Sequence, residues 1–344
     1  MSGDLLKRCL YHSGALGAWH RARNRENLTV VMYHRVLSPR DPRFGSCDPD
    51  YTISDDLFAK TVRFLKRHYN LVGVDEVIEA RRGTSRLPPR SLLITFDDGW
   101  SDNVDYALPI LQREKAKALL FVVADAVGRD RPFFQEELIA AWRSGRLSPN
   151  DWQNLGRAAG FTAPLPAGNG LSSLRDLIAV IESVTVEERN TLLKPFADRL
   201  ADGARHMVSA AELGQLMAGS VGIGLHGKTH TPMTKADDVD AELEGARTTV
   251  ARHVNMEPAR FSTMSFPHGR FSPHIVARAR ALGFDLMFTS VPALNQLGPS
   301  CPDLLGRIGI ETEAAQDRRG RFRPDWLALR LFRLPAKRLD PALT

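Results

Sequence analysis

Cysteine is scarce in this chain: Cys9, Cys47 and Cys301 are the only three in 344 residues. Far apart and odd in number, they make no disulfide framework, and a reducing compartment is the simplest setting for them. Long apolar runs are missing too. No window approaches the ~18 uninterrupted apolar residues of a membrane-crossing helix. The opening stretch MSGDLLKRCLYHSGALGAWHRARNREN is broken by Lys7, Arg8, Tyr11, His12 and His20, so it lacks the apolar centre of a signal peptide. These absences predict a cytoplasmic protein. There is no internal repeat and no low-complexity tract. No zinc-finger spacing or RNA-binding motif accompanies the basic residues, so nucleic acid is not an expected partner.

What is present is ordinary in bulk and uneven in detail. Hydrophobic residues at 43% and charged residues at 25% are typical of a soluble globular protein with a sizeable core. The net charge of +6 is concentrated at the ends. Residues 318–344 hold Arg318, Arg319, Arg321, Arg323, Arg330, Arg333, Lys337 and Arg338 against Asp325 and Asp340. The first 25 residues hold Lys7, Arg8, Arg21, Arg23 and Arg25 against Asp4. Basic ends of this kind, the second one carrying Trp326, Leu327, Leu329, Leu331, Phe332 and Leu334, either dock on the body of the protein or lie on an anionic membrane face.

Short, nearly continuous apolar runs recur along the chain: NLTVVMYH (27–34), SLLITFDDG (91–99), KALLFVVADAVG (117–128), GSVGIGLHGKTH (219–230), FSTMSFPHG (261–269), FDLMFTS (284–290) and LLGRIGIE (304–311). Such runs fit strands covered on both faces of a parallel sheet. Helical patterns alternate with them. Residues 54–69 open on an N-cap serine, 209–219 carry a capping box at Ser209 and Glu212, and 237–254 and 272–283 follow the same rule. Strand alternating with helix predicts a (β/α) barrel, distorted or seven-stranded. Residues 131–208 break the rhythm and read as a mostly helical insertion, with a Pro-, Gly- and Ser-rich loop at 161–173. The expected organisation is therefore a basic segment 1–26, a barrel from 27–130 and 209–315, the insertion 131–208 and a basic tail 316–344.

Reactive residues gather at the strand ends: His34, Asp97 with Asp98, His226, His268 and Ser290. The C-terminal rim of a barrel is where active sites are built. Two adjacent carboxylates at the end of a buried strand are electrostatically costly, unless a cation offsets one of them. His226 and His230, four apart in HGKTH, can hold one ion from a single helical turn or a tight loop. Two histidines and one carboxylate leave positions open for water and substrate, which marks a catalytic site. One aspartate would be the ligand and the other the general base, with Gly99 supplying backbone freedom. Each motif alone is more often a turn or a pair of unrelated histidines. Their shared placement at the ends of apolar strands is what favours a site.

TFDDGW (95–100), LHGKTH (225–230) and SFPHG (265–269), in this order, resemble the polysaccharide deacetylase family, carbohydrate esterase family four with its NodB-like domain. VVMYHRV (30–36) and the residues after it resemble the amino-terminal part of many bacterial members. The resemblance covers roughly 28–130 and 209–311. It implies a (β/α)-type barrel and metal-dependent hydrolysis of N-acetyl groups on amino sugars. By position it implies Asp97 as general base and Asp98, His226 and His230 as metal ligands, with zinc as the ion and cobalt or a similar ion as a substitute. Pro267, His268 and Gly269 would line the substrate groove, the backbone N–H of His268 helping to hold the oxyanion.

Two departures stand out. Members commonly carry an arginine two residues before the proline of the third motif, pairing with the catalytic aspartate; here that position is Ser265, which implies a different orientation for the base. Many members also have a general-acid histidine near the C-terminus, whereas this chain has none after His274 and offers Arg307 in that region. A circularly permuted branch brings the equivalent histidine from an amino-terminal YH motif, which makes His34 the expected general acid. The expected substrate is an N-acetylated glycan or a lipid-linked glycan precursor, the latter in keeping with peripheral membrane contact. The alternatives are a deacylase or deformylase of a lipid-linked sugar, and a glycan-binding protein of the same fold that has lost catalysis.

Overall fold

Residues 27–33 form a strand for the reason their composition suggests: a run of β-branched and apolar side chains has a covered face on either side. The same holds around a ring of parallel strands. These are β1 (Asn27–Tyr33), β2 (Ser91–Phe96), β3 (Ala118–Val122), β4 (Val221–Leu225), β5 (Thr263–Ser265), β6 (Leu286–Phe288), β7 (Leu304–Leu305) and β8 (Ile308–Gly309). The computed structural model describes residues 2–163, 170–298, 301–335 and 337–340; part of the expected loop at 161–173 and the last four residues of the expected tail lie outside them.

Strands β1 to β7 pair in sequence order, all parallel, and β8 returns to pair with β1. β7 and β8 are two halves of one strand interrupted at Gly306 and Arg307. The first half lies beside β6, the second beside β1, with Val31 flanked by Ile94 on one side and Ile308 on the other. The result is a nearly closed barrel with helices outside it, the architecture the strand–helix alternation predicts. A short antiparallel strand, Asn295–Gln296, adds to the start of β1.

Alternation along the strands divides the core in two. Leu28, Val30, Leu93, Leu119, Phe121, Leu286, Phe288 and Leu305 form one buried cluster, inside the ring. Val31, Ile94, Phe96, Leu120 and Val122 join the larger cluster, facing the helices. Leu93, Thr95 and Asp97 have the same parity on β2, so the strand that fills the interior also delivers Asp97 to its mouth.

The helices against the outer cluster are α1 (Ser2–His12), α2 (Ala15–Arg23), α3 (Asp55–His68), α5 (Leu108–Glu114), α6 (Ala210–Ala218), α7 (Ala246–Val254), α8 (Pro273–Ala281) and α9 (Pro324–Arg333), whereas α4 (Val74–Arg81) sets Val74 and Val77 into the other cluster, with Leu28, Leu93 and Leu119. Three of the expected starts fall at their capping serines, Ser54, Ser209 and Ser272, whereas the expected helix at 237–254 is a π-helical turn at Ala241–Gly245 that runs into α7 with no side-chain cap. The Ser54 hydroxyl accepts from the Leu57 N–H at the head of α3, and Ser209 and Glu212 form a reciprocal capping box on α6.

A separate compact unit is formed by Leu37–Pro49 with Arg129–His206. It contains helices at Phe134–Arg143, Pro149–Ala158, Ser172–Ser183, Val186–Leu193 and Ala197–Leu200. Its own core includes Leu138, Trp152, Leu155, Leu174, Leu177, Ile181 and Phe196. A bidentate ion pair from Arg175 to Asp48, at 3.0 and 2.8 Å, ties the short segment to the long one.

Candidate active site

The ends of β1, β2, β4 and β5 supply the side chains at the barrel mouth. β2 stops at Phe96. Asp97 still continues the ladder, its N–H donating to the Tyr33 carbonyl at 3.1 Å. Asp98 then turns into the left-handed region at φ +80° and Gly99 follows at +82°. That turn swings the Asp98 carboxylate to the same mouth as Asp97, instead of the opposite face that strand alternation would give it. A non-glycine residue there costs on the order of 1 kcal/mol or more, and a Cβ on Gly99 would sit 3.2 Å from Val122. Asp98, His230 and His268 all have positive φ, three of the seven non-glycine residues in that region of the map among the described residues.

Asp98, His226 and His230 come together. Asp98 Oδ1 lies 3.4 Å from Nε2 of each histidine, and one donor atom from each of the three falls within 4.8 Å of the others. The second Asp98 oxygen accepts from the Trp100 indole N–H at 3.0 Å. His226 Nδ1 faces the Ser265 carbonyl at 3.0 Å, so it carries the proton and leaves Nε2 as the lone-pair donor. Burial pushes the His226 imidazole down to about 4, outweighing the opposing pull of Asp97 and Asp98, so it is neutral as a ligand must be. Burial pushes the Asp98 carboxyl up, but its hydrogen bond and charge contact with His230, with His34 and His226 behind, hold it far below the usual carboxylate range. Two neutral-capable imidazoles and an ionised carboxylate, each oriented through its second polar atom or by its loop, fit a divalent ion.

The histidine pair is set by a loop, not a helix: residues 226–232 form no helix or strand. The buried Glu242 carboxylate clasps this loop, accepting from the N–H groups of Lys228 at 2.7 Å and Thr229 at 3.1 Å and from the Thr229 hydroxyl at 2.6 Å. Nothing in the HGKTH spacing points to Glu242, which lies a dozen residues downstream in an ordinary-looking helical run.

Asp97 has the partner the sequence withheld. Arg307, from the break between β7 and β8, makes a bidentate pair with it at 2.6 and 2.7 Å, and both side chains are almost wholly buried. The same guanidinium donates to the Ser265 hydroxyl at 3.0 Å and the Thr289 carbonyl at 2.9 Å. Burial alone would raise the Asp97 carboxyl; Arg307 and then His226 and His34 overcome it and hold it low. A guanidinium thus reaches Asp97 from the β7–β8 strand, while the position two before the third-motif proline, Ser265, offers a hydroxyl to the same guanidinium. A carboxylate has about four acceptor sites. Arg307 takes two, and the Ser265 hydroxyl at 3.4 Å approaches a third, leaving capacity for a water.

His34 follows β1 directly, near enough for its charge to act on Asp97 and Asp98. Its ring meets Tyr51 at 4.8 Å, and its carbonyl accepts from the Asn103 amide at 2.9 Å. The neighbouring motif residues form a brace. Arg35 and Asp102 are a fully buried ion pair at 2.9 Å, and the Arg35 guanidinium lies 4.4 Å over the Trp100 ring that holds Asp98. Thus YHR and DDGWSDN interlock. On the far side, the His268 ring packs 4.5 Å from His230 and its Nε2 faces the His230 carbonyl at 3.2 Å. Pro267 is buried, and Gly269 at φ +63° passes so close to Ser290 that a Cβ would collide with its hydroxyl.

The family profile described as Polysaccharide deacetylase matches residues 84–150, the segment that includes both aspartates. The chain resembles the polysaccharide deacetylases. A Bacillus subtilis protein named "Putative polysaccharide deacetylase YxkH" is 24% identical over 122 residues, 35% of this chain and 40% of that protein. The chain thus matches less than half the length of that deacetylase-like relative. Among solved structures, the Streptococcus pyogenes deacetylase PplD in complex with acetate has a TM-score of 0.55 at 14% identity, covering 89% of this chain and 98% of that one. IcaB from Ammonifex degensii has a TM-score of 0.54 at 19% identity, covering 84% and 94%. A de-N-acetylase from Aggregatibacter actinomycetemcomitans has 0.53 at 17%, covering 84% and 96%. At these identities the likeness is one of fold, and the deacetylase barrel is that fold.

Proposed function

We propose that this chain is a metal-dependent hydrolase that removes N-acetyl groups from amino-sugar residues of a glycan. The observation that carries this reading is the pairing of Asp98 Oδ1, 3.4 Å from Nε2 of both His226 and His230, with an adjacent Asp97 locked by Arg307. Asp98, His226 and His230 would hold a divalent ion, zinc being the best match to this donor set. When bound, the ion would act as a Lewis acid on the acetamide carbonyl and make water more acidic.

The chain's own residues divide the remaining work. Ionised Asp97 takes the proton of the attacking water, its other acceptor sites being held by Arg307 so that the carboxylate cannot rotate. His34, protonated, donates to the departing amine, which is otherwise a poor leaving group. The backbone N–H of His268, in the loop with Pro267 and Gly269, would help hold the developing oxyanion. Release of acetate from N-acetylglucosamine oligomers, with zinc or cobalt added, tests the reading. Asp97→Asn that keeps wild-type turnover would remove Asp97 from its role. Formate release from an N-formyl sugar without acetate release would favour the deformylase, and saturable glycan binding with neither product would favour the binding protein. Whether the glycan is a polymer or a lipid-linked precursor would be read from the same assay run on both.

A further inference from the structure

Helix α1 is amphipathic the wrong way round for a surface helix. At 100° per residue, Leu5, Leu6, Cys9 and Leu10 share one face. That face looks outward: Leu5 is 66% exposed, Leu6 61% and Leu10 39%, and Cys9 is exposed as well. The inward face is the polar one. Asp4 pairs with Arg323 at 3.2 Å, Lys7 lies 5.5 Å over the Trp326 ring, and Tyr11 stacks on Phe64. Trp19 on the adjoining α2 is 57% exposed, and Leu334, just past α9, is 51% exposed. Those five are a majority of the nine large apolar side chains exposed among the described residues, and they sit on elements that touch. The Arg23 guanidinium donates to the carbonyls of Phe332 and Pro335, which fixes the end of α2 against the end of α9.

Charge selects the occupant. Arg8, Arg21, Arg25, Arg333, Lys337 and Arg338 are exposed on or beside the same elements. Their acidic neighbours are fewer: Glu26, Asp340 and Asp4, the last engaged by Arg323 and Lys7. A second copy of the chain would bring the same positive charge against itself, whereas an anionic surface offsets it. Exposed leucines and a tryptophan among arginines are the makeup of a helix that lies in the headgroup region of a bilayer. We propose that α1, with Trp19 and the α9 end beside it, is a peripheral docking face for an anionic lipid bilayer. The proposal is independent of the chemistry at the barrel mouth.

Cys9 provides the probe, since it lies amid the apolar face while Cys47 and Cys301 are buried. An environment-sensitive fluorophore on Cys9 of the full chain is mixed with phosphatidylcholine vesicles, with and without a quarter phosphatidylglycerol, and the same mixtures are pelleted. A blue shift and pelleting with the anionic vesicles only, weakened by salt, are expected. Leu5→Ser/Leu6→Ser/Leu10→Ser should weaken pelleting about tenfold or more, with the melting temperature unchanged because these side chains contact water. Arg8→Gln/Arg21→Gln should weaken it while leaving the apolar face whole. No shift with anionic vesicles at low salt overturns the proposal. So does equal pelleting of the leucine variant, or a blue shift that follows protein concentration without lipid, which would assign the face to a second copy.

Discussion

Asp97 is the residue on which most of the account rests, and Arg307 is its counterpart. Removing one member of a buried ion pair leaves the other charge without compensation, at a cost of about 3–5 kcal/mol. Arg307→Met should therefore lower the melting temperature markedly. Burial would then act on Asp97 unopposed by the guanidinium and raise its carboxyl, so the acidic limb of the activity profile should move to higher pH, because the base must be ionised to work. Arg307→Lys should recover part of both effects. An unchanged acidic limb in Arg307→Met would mean that the pair is structural only. Asp97→Asn should abolish turnover while the chain still binds zinc, since the substitution changes neither the Asp98 nor the histidine donors. This residue-level pairing was not legible in the sequence. The motifs TFDDGW, HGKTH and FPHG are local and could be read where they stand; Asp97 and Arg307 are 210 positions apart and meet only because the last barrel strand breaks at Gly306–Arg307.

At the scale of single elements, the loop after β4 and the helix α2 each depend on one buried side chain. Glu242 satisfies two backbone N–H groups and a hydroxyl of the loop that carries His230. Glu242→Gln loses the charge and, with its amide oxygen on the two N–H groups, turns the acceptor of the Thr229 hydroxyl into a donor. Metal affinity should fall by about 10–100-fold, as for other residues that orient ligands, which titration with zinc would measure; unaltered affinity would mean the loop holds its own shape. On α2, His20 is buried in a stack on Phe332 at 4.1 Å, with Nε2 donating to the His68 carbonyl and Nδ1 accepting from the Asn24 amide. Burial pushes His20 down to about 4, and His68 to about 4 for the same reason. The unfolded chain binds these protons from about pH 6.5 downward while the folded one refuses them until about 4, so stability should fall as pH falls through that window. A flat melting temperature between pH 7 and 4 would contradict this, and His20→Gln should make the slope shallower. Helix starts were legible because capping is local: Ser54 and Ser209 cap as their spacing predicts. The histidine pair could not be assigned to a helical turn or a loop from spacing alone, because the clasp on Glu242 is tertiary.

At the scale of the molecule, the alternation of apolar runs with capped helices was sufficient to predict the barrel, since parallel strands covered on both faces leave few other arrangements. The sequence did not disclose how the ring closes. LLGRIGIE reads as one strand; it serves as two, with Leu304–Leu305 on β6 and Ile308–Gly309 on β1. At the seam the Asn295 side chain bonds both ways to Gly306 at 2.9 Å, and a Cβ on Gly306 would fall 2.6 Å from the Val291 carbonyl and the Ala293 N–H. Gly306→Ala should therefore destabilise the barrel by about 1–3 kcal/mol, as overpacking does, and loosen Arg307 with it; a melting temperature equal to wild type would mean the seam can widen freely. Among the described residues no helix is long and apolar enough to cross a membrane.

The central claim is that the mouth of this barrel is a metal site with a base beside it. It is tested most directly by the metal content of the untagged chain, measured by mass spectrometry beside His230→Ala. The account predicts about one zinc or similar ion per chain, lost in the variant. No metal in either protein, even after incubation with zinc or cobalt, would contradict it.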